Sequence, residues 1–234
     1  METRAFYEAG YALEDPEQAE RMGRWRAIGA RSKAAHVRTL LQRAGLRPAT
    51  IVEIGCGDGS LLAELAALAT VDGFELSANA VEQARRRGVA RRVEAFDGRR
   101  VPAQDDAYDL AVLSHVLEHV PEPRPLLEEA ARVAPHVIVE VPLEDNPSAR
   151  RPAKRVLSRE AGHLHAFDRP AVRRLLDGLT VRGELTDPLP YEHHAFFGGP
   201  LRGGIKWAVR GAAHRVGVAE RLFTVHYAVL ATRG

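Results

Sequence analysis

The glycine-rich turn at residues 55–59 constrains the fold of this chain more than any other stretch. The mainly apolar run 51–54 precedes it, and a helical pattern continues from Ser60 to Leu68. Glycines at positions 55, 57 and 59 let the backbone adopt positive φ angles and bring its amides close to a ligand. The stretch therefore predicts a strand, a tight turn and a helix, with a ligand bound at the turn.

The spacing of these glycines separates two kinds of nucleotide-binding turn. The dinucleotide fingerprint has its third glycine one position later, where this chain has Ser60. The spacing here is GxGxG, and the acidic Glu53 precedes the first glycine. This combination resembles the first motif of class I S-adenosylmethionine (SAM)-dependent methyltransferases and disfavours a nicotinamide dehydrogenase. The alternative is a glycine turn that only joins a strand to a helix.

Length and composition favour one globular α/β domain with a small appendage. The chain has 234 residues and a formal net charge of +2, which is too small to indicate a nucleic-acid partner. The single cysteine, Cys56, excludes an internal disulfide and suits a reducing compartment. Residues 1–12 lack the apolar segment of a signal peptide, and no apolar run approaches the roughly 20 residues that span a bilayer. We therefore expect a cytoplasmic protein.

Strands and helices alternate along most of the chain. Alternation of this kind predicts a parallel sheet with right-handed crossovers, whose ligands lie beyond the carboxyl ends of the strands. After the first strand we expect strands at 71–75, 92–96, 108–113, 136–141, 179–185 and 224–231, with helices at 79–87, 126–133 and 168–177.

Other regions are expected to lie outside this alternation. A helical pattern runs from Pro16 to Gly45, after a start that contains Phe6, Tyr7 and Tyr11. We expect a basic loop at 143–159, closure of the fifth strand by Pro142, and a glycine- and aromatic-rich stretch at 193–204 before a helix at 205–216. The predicted organisation is a single domain, with a helical segment at 1–48, a core at 49–234 and an insertion at 186–223 before the last strand.

Two acidic residues follow the second and third predicted strands. A carboxylate at Glu75 can accept both hydroxyls of a ribose, and Gly73-Phe74-Glu75-Leu76-Ser77 resembles the second motif of the same family. Phe96-Asp97-Gly98 resembles the third motif, which implies that Asp97 accepts from the adenine amino group while Phe96 or Leu76 flanks the ring. The alternatives are a solvated acid at Glu75 and a plain Asp-Gly turn at Asp97.

The fourth predicted strand leads into Ser114-His115-Val116-Leu117-Glu118-His119-Val120. This segment resembles the "FDxVxxxxxLEHV" pattern of small-molecule methyltransferases of the ubiquinone-biosynthesis type. The position after the strand implies that Ser114, His115 and Val116 border the methionine half of SAM. His119 is a candidate proton acceptor, because the pKa of imidazole lies near neutral pH and its neutral form can accept a proton there. The alternative is that Glu118 and His119 only fix the loop and the helix start.

Further histidines follow the fifth predicted strand. The segment 162–167 resembles the "GH…F" segment of the same family, and an extended backbone there would point His163 and His165 to the same side, towards a substrate. A metal site would need a third ligand, which this segment does not indicate, so no metal is expected. His193 and His194 either line a substrate wall or lie at the edge of the core.

The resemblance implies a Rossmann-like, seven-stranded mixed sheet with an antiparallel last strand, helices on both faces and an N-terminal helical lid. It implies methyl transfer from SAM to a small molecule, with S-adenosylhomocysteine as a product and His119 or His163 as the base. Oxygen is the expected acceptor atom and nitrogen the second choice; a non-catalytic SAM-binding protein is the other alternative. The implied cofactor-binding residues are Glu53, Gly55, Cys56, Gly57, Gly59, Glu75, Leu76, Phe96, Asp97, Gly98, Ser114, His115 and Val116.

Basic residues are concentrated in two predicted segments. Lys206, Arg210 and His214 repeat every four residues and would share one helix face, and the segment 150–159 carries four arginines and one lysine. Together they would suit an acidic or phosphorylated substrate, or weak contact with an anionic membrane surface. The alternative is a solvated helix face and a solvated loop.

Overall fold

The computed structural model describes residues 8–12 and 15–234, and within them seven strands form one sheet. The strands are β1 (Thr50–Ile54), β2 (Thr70–Glu75), β3 (Arg92–Ala95), β4 (Leu110–Ser114), β5 (His136–Leu143), β6 (Leu179–Asp187) and β7 (Val225–Arg233). Their order is β3-β2-β1-β4-β5-β7-β6, and β7 runs antiparallel to both of its neighbours. The predicted α/β class, the seven-stranded mixed sheet and the antiparallel last strand are confirmed.

Eight helices of four or more residues accompany these strands between residues 15 and 234. They are α1 (Pro16–Ala44), α2 (Ser60–Leu65), α3 (Ala78–Arg86), α4 (Pro123–Val133), α5 (Pro152–Glu160), α6 (Arg169–Leu175), α7 (Tyr191–Arg215) and α8 (Ala219–Leu222). No helix in the described part of the chain has the length and apolar character needed to cross a bilayer.

Apolar side chains cover both faces of the sheet. Successive residues of a strand point to opposite faces, so Val112 of β4 packs in one cluster with Leu40 of α1 and Leu62 of α2. Leu113, the next residue, packs in the other cluster with Leu127 of α4. Because both faces are buried, the central strands are almost continuously apolar.

Helix α1 begins and ends where the sequence predicts. The Asp15 carboxylate accepts a hydrogen bond from the Glu17 amide at 3.0 Å, and Pro16 occupies the first turn, where no amide donor is required. At the other end Gly45 has φ 68°, the left-handed conformation in which glycine commonly ends a helix.

The sequence predicts that β5 ends at residue 141, before Pro142, and this end is wrong by two residues. The strand continues to Leu143, and Pro142 pairs with His226 of β7. β4 ends at Ser114, opposite Glu140, so Pro142 lies beyond the end of β4. The missing proline amide therefore leaves no acceptor on β4 without a partner.

The structure also corrects two other boundaries. The predicted loop at 143–159 contains helix α5, which has no buried residue, so its apolar side chains do not contribute to the core. The glycine-rich stretch at 193–204 is helical and belongs to α7. Gly199, with φ 70° and ψ 171°, and Pro200 kink this helix, and the kink hid its continuity in the sequence.

Candidate functional site

The glycine turn lies between the carboxyl end of β1 and α2. Its glycines have φ angles of 79° (Gly55), 53° (Gly57) and 75° (Gly59), all in the left-handed region. A Cβ on Gly55 would lie 2.5 Å from Cγ2 of Val116, and a Cβ on Gly59 would lie 2.9 Å from the Cβ of Ala84. The first glycine therefore permits close approach to the segment after β4, whereas the third permits α2 and α3 to pack.

Glu75 ends β2 beside this turn, with its side chain held by backbone amides. Oε2 accepts from the Gly57 amide at 2.9 Å, and Oε1 accepts from Leu76 and Ser77 at 2.7 and 3.0 Å. Burial raises the pKa of Glu75, while these hydrogen bonds oppose the increase. The carboxylate thus links the glycine turn to the start of α3 and lies where a ribose is expected.

Residues 8–12 lie against the same turn. The Tyr11 hydroxyl lies 2.5 Å from the position that a Cβ on Gly57 would occupy, and the Gln83 side-chain amide donates to the Tyr11 carbonyl at 2.7 Å. Burial, and then the nearby Glu75 carboxylate, raises the pKa of Tyr11. Glu8 accepts from the amides of the first turn of α3. The segment covers the turn as a lid would; Phe6 and Tyr7 lie outside the described residues.

The residues expected around adenine have mixed surroundings. The ring of Phe96 is buried against Phe74, with centroids 6.3 Å apart, while Cδ1 of Leu76 lies 3.7 Å from the position of a Cβ on Gly98. Oδ1 of the exposed Asp97 accepts from the amides of residues 99 and 100, both at 2.8 Å, and these bonds lower its pKa. Leu76 is therefore a better candidate than the buried Phe96 for packing against adenine. The contacts of Asp97 in this structure are those of a residue that closes a turn.

Two of the expected cofactor residues are buried beneath the turn. Glu53 is 3% exposed, and burial raises its pKa well above the ordinary value. Cys56 is 4% exposed, and burial likewise raises the pKa of its thiol. Its Sγ lies 2.8 Å from the position of a Cβ on Gly73, so these side chains support the turn from the sheet side.

The segment after β4 carries an unusual backbone conformation. His115 has φ 58°, which is rare for a residue other than glycine, and its amide donates to the Glu140 carbonyl at 2.8 Å. Ser114 is buried, and Val116 lies against Gly55 as described above. Val116 therefore places this segment next to the glycine turn, and contact of the three residues with the methionine half of SAM stays a prediction.

The two candidate bases are in contact. The rings of His119 and His163 lie 4.8 Å apart at 77°. Burial lowers the pKa of His119, so its imidazole is neutral near pH 7. Burial would also lower the pKa of His163, but the carboxylate of Glu144 outweighs that effect and raises it. The sequence predicted both histidines, and the structure places them side by side.

Glu144 is a site residue that the sequence did not indicate. Its Oε2 lies 2.7 Å from Nδ1 of His163 and accepts from the Ser158 hydroxyl at 2.9 Å. A carboxylate can only accept, so Nδ1 carries the proton and Nε2 is the basic nitrogen. A signal existed in the sequence, because Glu144 directly follows β5, at the edge of the sheet where ligands bind.

His165 does not act with His163. Its Nε2 lies 2.9 Å from the Val120 carbonyl, so it holds the segment after β4 instead. His193 packs against Trp25 of α1, with ring centroids 4.1 Å apart, and burial lowers its pKa to about 3. His194 is buried and contacts the Pro188 carbonyl through Nε2.

A cavity of about 1110 Å³ opens beside His163. Its wall combines α5, the segment after it and the kinked helix α7, and most of its charged side chains are basic. The structure thus brings together the two basic segments that the sequence predicted separately. The basic residues of the wall are Arg150, Arg151, Lys154, Arg155, Arg159, Lys206 and Arg210.

A methyltransferase-domain family model matches residues 23–179, which is more than half of the chain. The chain belongs to this methyltransferase family. A SAM-dependent methyltransferase from Thermotoga maritima, described as a possible histamine N-methyltransferase, superposes with a TM-score of 0.65 at 18% identity, covering 99% of this chain and 100% of that one. Geranyl diphosphate methyltransferase in complex with SAM gives a TM-score of 0.63 at 19% identity, covering 97% and 94%.

A curated relative adds no activity to this picture. It is an uncharacterized 37.1 kDa protein in a transposon of Streptomyces fradiae, 39% identical over 89 residues. The match covers 35% of this methyltransferase and spans about a quarter, 26%, of the relative's own length. The class I assignment is confirmed, and the likeness to the ubiquinone-biosynthesis branch stays a prediction.

The residues at the turn fit SAM, which the structural neighbour geranyl diphosphate methyltransferase carries in its complex. The absence of a Cβ at Gly55 and Gly57 lets the side chains of Val116 and Tyr11 approach the backbone of the turn closely. Glu75 provides two carboxylate oxygens beside the turn, which matches the two hydroxyls of a ribose.

Proposed function

We propose that this methyltransferase transfers the methyl group of SAM to a hydroxyl oxygen of a small anionic molecule. One observation carries the proposal: His163, held by Glu144, lines the same cavity as a group of basic side chains. A base and a cationic wall in one cavity favour an acceptor that has both an ionisable hydroxyl and a negative charge.

The cofactor supplies a methyl group already activated by its bond to a cationic sulfur. The protein must therefore orient the acceptor in line with that bond, an effect worth roughly 7–11 kcal/mol in favourable cases. The wall of the cavity provides this orientation by holding the anionic end of the acceptor. The acceptor hydroxyl must also lose its proton as the new carbon–oxygen bond forms, which requires a base.

His163 is the better of the two candidate bases. Glu144 fixes its Nδ1 proton and leaves Nε2 to accept the proton of the acceptor. Glu144 also stabilises the imidazolium that results, so the proton remains on His163 until it passes to solvent. His119 packs against the ring of His163 and makes a 3.2 Å contact from Nδ1 to the Gly162 carbonyl, which supports a positioning role.

The charge of the cavity wall supports an anionic acceptor. Arg210 is partly buried, it donates to the Thr224 carbonyl at 2.8 Å, and burial lowers its pKa. A cationic group that is buried without a carboxylate gains from an anionic ligand. One structural neighbour, the geranyl diphosphate methyltransferase, is named for a diphosphate ester, which is consistent with this charge preference.

A matched set of acceptors tests the proposal. Methyl-labelled SAM is incubated with the protein and a phenol that carries a phosphate ester, the same phenol without phosphate, and the amine analogue of each. We expect label chiefly in the phosphorylated phenol. Equal transfer to the neutral phenol would overturn the charge preference, and transfer to amines alone would overturn the oxygen assignment.

A second comparison tests the group of acceptors more broadly. The protein is incubated with labelled SAM and a small-molecule extract divided by anion exchange into retained and unretained fractions. Label is expected in the retained fraction. Label that appears only in the unretained fraction would contradict an anionic acceptor, and tight SAM binding without transfer to either fraction would favour a non-catalytic SAM-binding protein.

A further inference from the structure

A second group of histidines and glutamates lies deeper in the protein than the candidate base. It joins three separate strand ends: His115 follows β4, Glu140 lies in β5 and His226 lies in β7. One ligand atom from each residue lies within 4.8 Å of the others. Glu140 and His226 have side chains that are 1% and 9% exposed, and His115 is 20% exposed. Few polar groups are buried together in this way without a shared partner.

The three atoms that converge make no hydrogen bonds. His115 Nε2, Glu140 Oε1 and His226 Nδ1 are all buried, and none has a hydrogen-bond partner among the described residues. The distances from Glu140 Oε1 are 3.2 Å to His226 Nδ1 and 3.7 Å to His115 Nε2. These atoms are close enough for ion pairs, but the distance or the angles at the donor and acceptor atoms do not meet the geometry of a hydrogen bond. Unsatisfied buried polar atoms are costly, so this convergence requires an explanation.

From this geometry we propose that His115, Glu140 and His226 bind one divalent transition-metal ion. Two imidazole nitrogens and one carboxylate oxygen form a common ligand set for ions such as Zn²⁺ and Fe²⁺. Ligand atoms at about 2.1 Å from a tetrahedral ion lie roughly 3.4 Å apart. The two distances from Glu140 are close to that value, and a small movement of His115 towards His226 completes the set.

The surroundings of the three residues are those of a metal centre. Glu118 Oε1 lies 3.2 Å from His115 Nδ1, within ion-pair distance, so a carboxylate accompanies that nitrogen while Nε2 faces Glu140. The other oxygen of Glu140, Oε2, lies 3.2 Å from His36 Nδ1, and Asp187 contacts Nε2 of that histidine at 2.9 Å. Glu140 thus directs Oε2 towards His36 and Oε1 towards His226 and His115.

The backbone at His115 supports the same conclusion. Its φ of 58° is unfavourable for a residue with a Cβ, and such strain persists where the surrounding structure enforces it. The bond from its amide to the Glu140 carbonyl, at 2.8 Å, holds the two residues together. The strained conformation brings the imidazole to Glu140, which is the contact that a shared ion requires.

Zinc binding to the full chain tests the proposal. The protein is first treated with a chelator and dialysed, and Zn²⁺ is then added in a calorimeter in the absence of SAM. We expect one Zn²⁺ per chain, and we expect His226→Ala and Glu140→Gln each to weaken binding about tenfold or more. His36→Gln alters only an outer contact of the ligands, the one to Glu140 Oε2, and should weaken Zn²⁺ binding about 10–100-fold. This variant replaces the ligand variants in the test if those do not fold.

Two control variants locate the ion. His165→Ala lies outside the group, and His119→Ala disrupts a neighbouring group of Glu118, His119 and His163; both should bind Zn²⁺ as the parent protein does. Circular dichroism and SAM affinity verify that each variant is folded. A folded parent protein that binds no Zn²⁺ would overturn the proposal. Binding that survives in His226→Ala but is lost in His119→Ala would overturn it as well. Neither result depends on the identity of the acceptor.

Discussion

In the half of this methyltransferase proposed to bind the cofactor, residues 50–116, the groups expected at the ligand are mostly glycines and residues at strand ends. In the acceptor half, residues 144–224, they are side chains, and many belong to the helices α5 and α7 that lie beyond the strands. The first half presents one fixed surface that depends on backbone geometry. The second presents a charged wall that single substitutions can alter without changing the sheet.

This contrast follows from what each half must recognise. The cofactor half is expected to bind one molecule, SAM, and glycines give the turn the close approach to a ligand which that requires. An acceptor differs between enzymes, and side chains on helices and loops can vary independently of the core. The contrast predicts that substitutions in the cofactor half change SAM affinity or stability, whereas those in the acceptor half change turnover.

The largest expected effect concerns the base in the acceptor half. His163→Ala should lower turnover about 10²–10⁴-fold, because the acceptor hydroxyl loses its proton acceptor. SAM affinity, measured by calorimetry, should change little. His165→Ala is the matched control, since that histidine contacts the Val120 carbonyl instead. Full activity in His163→Ala would remove the base from the mechanism and leave orientation alone.

The pH profile sharpens the same assignment. A base works when neutral, so the acidic limb of kcat/KM should follow the pKa of His163, which Glu144 raises. In Glu144→Gln the carboxylate no longer raises the pKa of His163, whereas burial still lowers it. The acidic limb of kcat/KM should therefore move to lower pH. A limb that does not move would show that His163 is not the group that titrates in this reaction.

Glu75→Ala tests the cofactor half. The substitution removes the carboxylate that is expected to bind the ribose and leaves three amides without their acceptor. It should weaken SAM binding by about 1–3 kcal/mol, with turnover at saturating SAM much less affected. Calorimetry with SAM and S-adenosylhomocysteine measures the change, and Glu94→Ala, a half-buried acid on β3 that pairs with Arg92, is a suitable control. Unchanged affinity in Glu75→Ala would remove it from the ribose site.

Gly55→Ala tests whether the turn depends on glycine. Its φ of 79° and the 2.5 Å approach to Val116 leave no room for a Cβ, so the unfolding free energy should fall by about 1–3 kcal/mol. Gly29→Ala is the control, because that glycine lies within α1 with nothing within 4 Å of an added Cβ. It should be neutral or stabilise by up to about 1 kcal/mol. Denaturant titration compares the two variants.

The smallest expected effect distinguishes a soluble acceptor from one presented at a membrane. Leu157 and Trp207 are exposed beside the basic wall, at 55% and 46%, which would suit weak attachment to anionic vesicles. Each basic residue at such a surface contributes about 1 kcal/mol, so Lys154→Gln and Lys206→Gln should each reduce attachment about fivefold at low salt. Sedimentation with anionic and neutral vesicles measures this. Equal attachment to both would leave only a soluble acceptor.

Much of the cofactor half could be predicted from the sequence because its determinants are local. The glycine turn and the acid at the end of β2 each depend on residues that are close in the chain, and so do the limits of α1 outside that half, because turn and cap chemistry act locally. The alternation of strands and helices also predicted the sheet, since crossover handedness leaves few topologies.

Only the tertiary structure decided the acceptor half and the group around Glu140. Glu144 and His163 are 19 positions apart, the ligands proposed for the ion come from β5, β7 and the residue after β4, and α5 buries no side chain in the core. These contacts depend on how β5 and β7 pair and on where α5 and α7 lie relative to the sheet. Such long-range packing places side chains together without leaving a pattern in neighbouring residues, which is why a linear spacing rule for metal ligands or bases could not find them.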